Sequence, residues 1–312
     1  LLSAIPLIDK VGHESLLRPE AYLAVNADVR EAKMDPREHY LRYGQFEGRK
    51  QLVDSSIVGT LRDQKLSRVQ FRDDPKSPRS AGQAFDYLPA EIRESFHIPE
   101  VVPIANNDYN AEIIKIIEEN PGALMLDVGA GFRHTYYSNV VNAEIWAATS
   151  TDVVCVGEDL PFASEQFDYI FCLAVLEHTK RPWIACQEIL RVLKPGGSVR
   201  IDWPFLQPFH GYPHHFFNAT SVGTISMFEE TCDIVEAEVK PWQHPIFALE
   251  WLLKEWSLGL ADDVREKFSE MTVRDFLASS NEEMLQEAFC SKLSAETQGI
   301  ISAGTTITAR KR

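Results

Sequence analysis

Hydrophobic spacing along the chain changes character at Asn110. The first pattern beyond it is helical, in "AEIIKIIEEN". Short, mostly apolar runs follow in "ALMLDV", "VNAEIWA", "VVCV", "FDYIFCLAV" and "GSVRIDWP". Apolar runs of roughly four to eight residues bounded by turn formers predict buried strands, and amphipathic stretches between them, such as "WIACQEILRVL", predict covering helices. Strand and helix patterns in alternation predict an α/β domain with a parallel sheet and helices on both faces. Two later segments, "CDIVEAEVK" and "GIISAGTTITARK", are rich in β-branched residues and are expected as a sixth and a seventh strand, the last joined antiparallel. Between them, over about 241–298, the period turns helical again and predicts an insertion of several helices. Leu249, Leu252, Leu253 and Trp256 recur there at helical spacing, as expected of a cover over a substrate mouth or of an oligomer contact.

The opening of the chain has another texture. "SLLRPEAYLAVNADVREA" carries apolar residues at helical intervals, and "DPREHYLRYGQFEGRK" opens on Asp-Pro and closes on glycine, both signatures of short helices. Residues 51–82, with "RDDPKSPRSAG", read as a polar linker rich in turn formers. The expected organisation is a helical docking or spacer module over 1–50, a linker over 51–82, and the main domain with its insertion over 83–312.

Composition narrows the function. With 312 residues, 45% of them hydrophobic, the chain can bury a full core. A net charge of −15 argues against nucleic-acid partners, whose phosphates need Lys and Arg. Cys155, Cys172, Cys186, Cys232 and Cys290 show no paired spacing and mostly lie in apolar runs, so they are expected as thiols in a reducing cytoplasm. No apolar stretch reaches the roughly 18 residues of a membrane span. Nothing in the opening residues resembles a signal peptide, and a start at Leu1 in place of Met leaves the true start open.

The candidate chemistry centres on "LMLDVGAGFR", 124–133. Gly129 and Gly131 after a strand allow close approach of a ligand to the backbone. A dinucleotide fingerprint would require a third glycine where His134 stands, which weakens a dehydrogenase reading. Asp127, directly before the turn, would repel a pyrophosphate and suit a cationic ligand. "LDVGAG" at 126–131, "EDLPF" at 158–162, "FDYIFCLAVLEH" at 167–178 and "RVLKPGGSV" at 191–199 together resemble the class I S-adenosylmethionine-dependent methyltransferases. The resemblance implies a Rossmann-like seven-stranded sheet and S-adenosylmethionine as cofactor. It implies that Asp127, Gly129, Ala130 and Gly131 line the methionine end, that Glu158, Asp159 and Leu160 border adenine, and that Leu173 and Ala174 lie beneath the cofactor. Glu144, 17 residues beyond Asp127 in the second strand, is assigned to the ribose hydroxyls. Many relatives place an aspartate where Val156 stands, which leaves the adenine contact without its usual partner. Glu177 and His178 of "LEH" are expected to order a loop.

After the fifth strand, "DWPFLQPFHGYPHHFFNAT" gathers Asp202, Trp203, His210, Tyr212, His214 and His215. Methyl transfer to a hydroxyl benefits from a base near neutral pKa, and His210 or His214 is the candidate catalytic residue. No acidic ligands accompany these histidines at metal-site spacing, so no metal is expected. Residues 13–50 also resemble a short element of bacterial proteins that assemble surface polysaccharides. Together these features point to O-methylation of a sugar hydroxyl, with a glycan or small molecule as acceptor and polysaccharide-assembly proteins as partners. A methyltransferase for a small molecule or protein, and an inactive scaffold in a glycan-assembly complex, are the alternatives.

Overall fold

A computed structural model describes residues 3–53, 56–76, 80–95, 98, 108–211 and 214–310. By internal packing the chain divides after Asp202 into two units, which are described separately. Among the described residues the first contains ten strands: β1 (Ala4–Pro6), β2 (Ile8–Lys10), β3 (Lys50–Leu52), β4 (Phe85–Asp86), β5 (Met125–Val128), β6 (Thr135–Tyr137), β7 (Val140–Glu144), β8 (Val153–Val154), β9 (Phe167–Leu173) and β10 (Leu193–Asp202). Six of them form one parallel sheet in the order β10-β9-β5-β7-β8-β4. β5 lies inside this sheet, pairing Asp127 with Asn142 of β7 on one side and with Phe171 of β9 on the other.

Every residue of β5 and β7 is buried, as expected of strands covered on both faces. The helix Ala111–Glu119 begins where the Asn110 side chain accepts from the Ile113 amide (3.0 Å) and presents Ile113 and Ile117 to Met125, Val140 and Phe171. The helix Pro182–Val192 starts on proline and buries Ala185, Cys186, Ile189 and Val192.

The sheet differs from expectation at both edges. Among the described residues "CDIVEAEVK" and "GIISAGTTITARK" form no strands: the first is irregular, and the second continues the helix Ala295–Ile301 and runs on without regular structure to Arg310. Val235 and Val239 are 96% and 69% exposed. β-Branched content favours a strand only where neighbours give the side chains something to pack against. The sixth strand of the sheet is instead β4, two residues long and paired with β8.

The residues before the sheet form two small ribbons of their own. β1 pairs antiparallel with β6, and β2 with β3, outside the six-stranded sheet. Short helical pieces appear over Pro19–Val25, Ala27–Glu31 and Pro36–His39, the last capped by Asp35, and the chain then stops at Gly48 in the left-handed region (φ 66°). Tyr22 forms their centre, with its hydroxyl 3.0 Å from His39 Nδ1. Gly44 lies so close that an added Cβ would overlap that hydroxyl.

Within the stretch expected as a linker, a helix forms over Ile57–Leu66. Its Lys65 is fully buried, with Nζ 2.7 Å from Asp152 Oδ2, 3.2 Å from the Tyr137 carbonyl and 3.9 Å from the Tyr136 ring centroid. Arg62 Nε lies 3.3 Å from Asp152 Oδ1, and Nη2 donates to the Thr149 carbonyl at 2.7 Å. The Tyr136 hydroxyl and the Asn142 amide also donate to Asp152. One carboxylate thus answers two buried cations, and desolvation by burial lowers Lys65 to about 8.

The second unit is helical from Pro241 to Ile301 apart from short connections; the helices expected over 241–298 are present, but no strand flanks them among the described residues, so they are not an insertion between two strands. Leu260, Val264, Phe268, Phe289 and Leu293 make its core, and Trp256 stacks on Phe268 at 6.1 Å. Thr272 with Asp275 and Ser280 with Glu283 form capping boxes that start two of its helices.

Replacing Asp152 by Ala leaves Lys65 and Arg62 buried without their counter-charge, so Asp152→Ala is expected to cost about 3–5 kcal/mol. Urea unfolding checks this: the midpoint falls while the slope is retained.

Candidate active site at the carboxyl end of the central strand

Open α/β sheets take ligands at the carboxyl ends of their strands, and β5 delivers Asp127 and the glycine turn to that end. Gly129 and Gly131 both lie in the left-handed region (φ 71° and 59°), where side chains with a Cβ are strained. The amides of Gly129 and Ala130 share the Ala143 carbonyl of β7 (2.9 and 3.0 Å). A Cβ at Gly129 would also stand 2.5 Å from both methyl carbons of Val175, so the residue is needed for backbone shape and for close packing alike.

Glu144, at the end of β7, is buried and bound into the same turn. Its Oε2 accepts from the Gly131 amide at 2.7 Å and its Oε1 from the Ile145 amide at 2.6 Å. Burial pushes its carboxyl up to about 7, opposed by those two amides and reinforced by the charge of Asp127. The structure brings Glu144, expected at the ribose hydroxyls, against the glycine turn itself.

Asp127 is wholly buried. Its Oδ2 accepts from the Tyr109 hydroxyl at 2.5 Å and from Arg133 Nε at 2.8 Å, with Arg133 Nη2 at 2.7 Å. Its Oδ1 has no hydrogen-bond partner among the described residues. Sequence reasoning missed Tyr109 and Arg133. Arg133 follows the motif by two residues, and its pairing with the aspartate six positions back was the one signal available.

The residues expected near adenine have protein partners of their own. Glu158 Oε1 accepts from the Lys180 amide (2.9 Å) and the Arg181 amide (3.3 Å) at the start of Pro182–Val192. Asp159 is exposed and ion-paired with Arg72. Leu160 is buried, and its amide donates to Glu188 Oε2 at 3.0 Å. Leu173 closes β9, and Ala174 follows it with a left-handed φ of 56° while its amide donates to the Asp202 carbonyl at 2.8 Å. Strain of this kind concentrates at functional sites.

Glu177 lies in the short turn Leu176–His178 and is fully buried, with neither carboxyl oxygen hydrogen-bonded among the described residues. His178 Nε2 stands 3.8 Å from Oε1. Burial pushes this carboxyl up to about 7 as well.

His210 and His214 belong to the second unit. His210 Nδ1 lies 2.8 Å from the Pro208 carbonyl, its amide donates to His215 Nδ1 at 3.1 Å, and its ring lies 5.0 Å from that of Trp251. Desolvation lowers its pKa below the usual histidine value. The His214 ring packs 5.3 Å from Phe216. Tyr212 lies outside the described residues. Cys155, Cys172 and Cys186 are buried, and burial alone pushes the Cys186 thiol up to about 12. A separate cavity of about 530 Å³, lined by Asn120, Asp168, Tyr169 and Lys194 among others, opens at the opposite ends of β5 and β9.

Residues 126–201 match the family model of a methyltransferase domain. The chain is similar to an uncharacterized methyltransferase of Mycobacterium avium, 40% identical over 67 residues, which are 21% of this chain and 26% of that protein. It is also similar to an uncharacterized methyltransferase of Mycobacterium tuberculosis, 44% identical over 57 residues, 18% of this chain and 22% of that one. The chain thus spans about a quarter of the length of these curated relatives. Among solved structures it is similar to phosphoethanolamine N-methyltransferase 2 of Haemonchus contortus in complex with S-adenosyl-L-methionine. Identity there is 18%, coverage 78% of this chain and 58% of that one, and the TM-score 0.33. The match over 126–201 runs from the second residue of β5 through β9 to all but the last residue of β10, the part of the Rossmann-like sheet that carries the glycine turn. No helix among the described residues is long and apolar enough to cross a membrane.

The sign of the Glu177 shift gives a stability test. Its folded value of about 7 lies above the ordinary 4.5, so the folded chain holds this proton more strongly than the unfolded chain. The resulting stability is complete below about pH 4 and is lost as the pH rises through 7. Glu177→Gln is expected to raise stability at pH 8 by on the order of 2 kcal/mol and to make the fall of stability between pH 5 and 8 shallower than in the wild type. Thermal melts of both proteins between pH 5 and 8 check this.

Proposed function

We propose that the chain is an S-adenosylmethionine-dependent methyltransferase that O-methylates a sugar hydroxyl of a bacterial surface polysaccharide or its precursor. The cofactor half of this reading is carried by Asp127. Its Oδ1 is a buried anionic acceptor with no hydrogen-bond partner among the described residues, beside two glycines in left-handed conformation. A buried carboxylate oxygen of that kind calls for a cationic donor, and the ammonium of a methionine moiety is one.

The cofactor would supply a methyl group activated on a sulfonium. The protein's own residues bind and orient it. Asp127, Gly129, Ala130 and Gly131 hold the methionine end. Glu144 accepts from the ribose hydroxyls with the lone pairs that its two amide bonds leave, since a carboxylate offers about four. Leu160, Leu173 and Ala174 give the adenine an apolar bed, and Glu158 and Asp159 shape its loop through their bonds to Lys180, Arg181 and Arg72.

For the acceptor, a histidine takes the hydroxyl proton as the new bond forms. The Nδ1 of His210 faces the Pro208 carbonyl, which keeps a proton on Nδ1 and the lone pair on Nε2. Its lowered pKa keeps the ring neutral near pH 7 and able to accept. His214 is the second candidate. The sugar acceptor rests on the resemblance of residues 13–50 to an element of polysaccharide-assembly proteins, which would also be the partners of this chain. We place the protein in the cytoplasm on the strength of its unpaired cysteines.

A methyltransferase for a small molecule or a protein would use the same cofactor residues and differ only in acceptor. An inactive scaffold in a glycan-assembly complex draws its support from Val156, which stands where many relatives carry an aspartate for the adenine amine.

Methyl transfer from isotopically labelled S-adenosylmethionine into polysaccharide acceptors tests the reading, with ether-linked label as the expected product. His210→Ala or His214→Ala should lower turnover by about 10²- to 10⁴-fold while cofactor binding persists. Full turnover in both variants contradicts the histidine base. Cofactor binding without label in any sugar, but with label in a protein or small molecule, moves the acceptor.

A further inference from the structure

The structure divides the two oxygens of Asp127 between the protein and whatever binds beside it. Oδ2 is taken by the Tyr109 hydroxyl and by Nε and Nη2 of Arg133. Oδ1 is the oxygen without a hydrogen bond among the described residues. The Arg133 guanidinium also lies 4.2 Å from the Tyr109 ring centroid, and all three residues are buried.

The guanidinium is fixed through its backbone as well. The Arg133 amide donates to Ser150 Oγ at 3.1 Å, and two residues earlier the Gly131 amide is held by Glu144. The whole segment 129–133 is therefore fastened to the strand and loop beside it. The charge that meets Asp127 occupies a set position and is not a wandering surface arginine.

A buried carboxylate needs partners that fix it in place, and one oxygen held by a guanidinium leaves the other directed at a cationic donor. A guanidinium keeps its charge at every accessible pH, and a tyrosine ring beneath it offsets part of its lost hydration. We propose that Arg133 is a positioning residue that holds Asp127 in place and oriented through Oδ2, so that Oδ1 receives the ammonium of an amino-acid-bearing ligand. This rests on S-adenosylmethionine being that ligand. Arg133 acts through Asp127, and its removal is felt at the amino-acid end of the ligand and not at the adenosine end.

Two thioethers separate these ends. S-adenosylhomocysteine carries the amino-acid moiety, and 5′-methylthioadenosine lacks it. Calorimetric titration of the full chain should show S-adenosylhomocysteine binding more tightly than 5′-methylthioadenosine. Arg133→Met should raise the Kd for S-adenosylhomocysteine by about 10- to 100-fold, the range of a charged hydrogen bond, and leave that for 5′-methylthioadenosine unchanged. Arg133→Lys keeps the charge without the fork and should recover part of the loss; it also serves as the comparison should Arg133→Met fail to fold.

Equal weakening of both ligands would make Arg133 a general clasp of the fold and overturn the proposal. Unchanged or tighter S-adenosylhomocysteine binding in Arg133→Met would overturn it too, since the arginine would then be idle or a competitor for Oδ1. In each of these cases the wild-type chain still binds the thioether and the cofactor reading stands. If the folded wild-type chain binds neither compound, the cofactor reading falls and the proposal falls with it.

Discussion

One carboxylate inside the sheet, that of Asp127, sets the terms for the residues around it. A charge out of water is tolerated only with partners, and the chain supplies them from two directions: Tyr109, just before the helix Ala111–Glu119, and Arg133, just after the glycine turn. Meeting Arg133 requires the chain to reverse sharply after β5, and the left-handed conformations of Gly129 and Gly131 allow that reversal. Glu144 then secures the turn from β7. Carboxylate, turn and clasp are consequences of one another, and the oxygen left over is what makes the place a candidate site.

A second buried carboxylate, Asp152, plays a different part. It follows the loop after β7 and gathers Arg62, Lys65, Tyr136 and the Asn142 amide. With these donors it is a structural joint that holds the helix Ile57–Leu66 against the strands. Both sites bury charge; they differ in whether an oxygen is left without a partner. Asp127 Oδ1 lacks a hydrogen bond among the described residues, whereas both oxygens of Asp152 have one. That contrast separates a candidate for ligand binding from a purely supporting carboxylate.

Strands buried on both faces were legible because their segments are short and mostly apolar, as at β5, β7 and β9, and the turn was legible because its glycines and aspartate are neighbours in sequence. β4 was not legible, since two residues carry no period. The β-branched tail at 304–310 suggested a strand that the fold does not make, because composition says nothing about who sits alongside. The polar stretch 51–82 concealed a helix whose Lys65 and Arg62 are buried by partners about ninety positions away. Local pattern reveals which residues want burial. It does not reveal which charge will meet which, and for that reason Arg133 and Tyr109 emerged only with the structure.

Hydrogen exchange read by mass spectrometry, with and without S-adenosylhomocysteine, tests the central claim most directly. The amides of the glycine turn and of the end of β7 flank Asp127 and Glu144, so the account predicts slowed exchange in peptides spanning 126–133 and 142–146 when the thioether is present. Saturating ligand with exchange unchanged in both segments would contradict it.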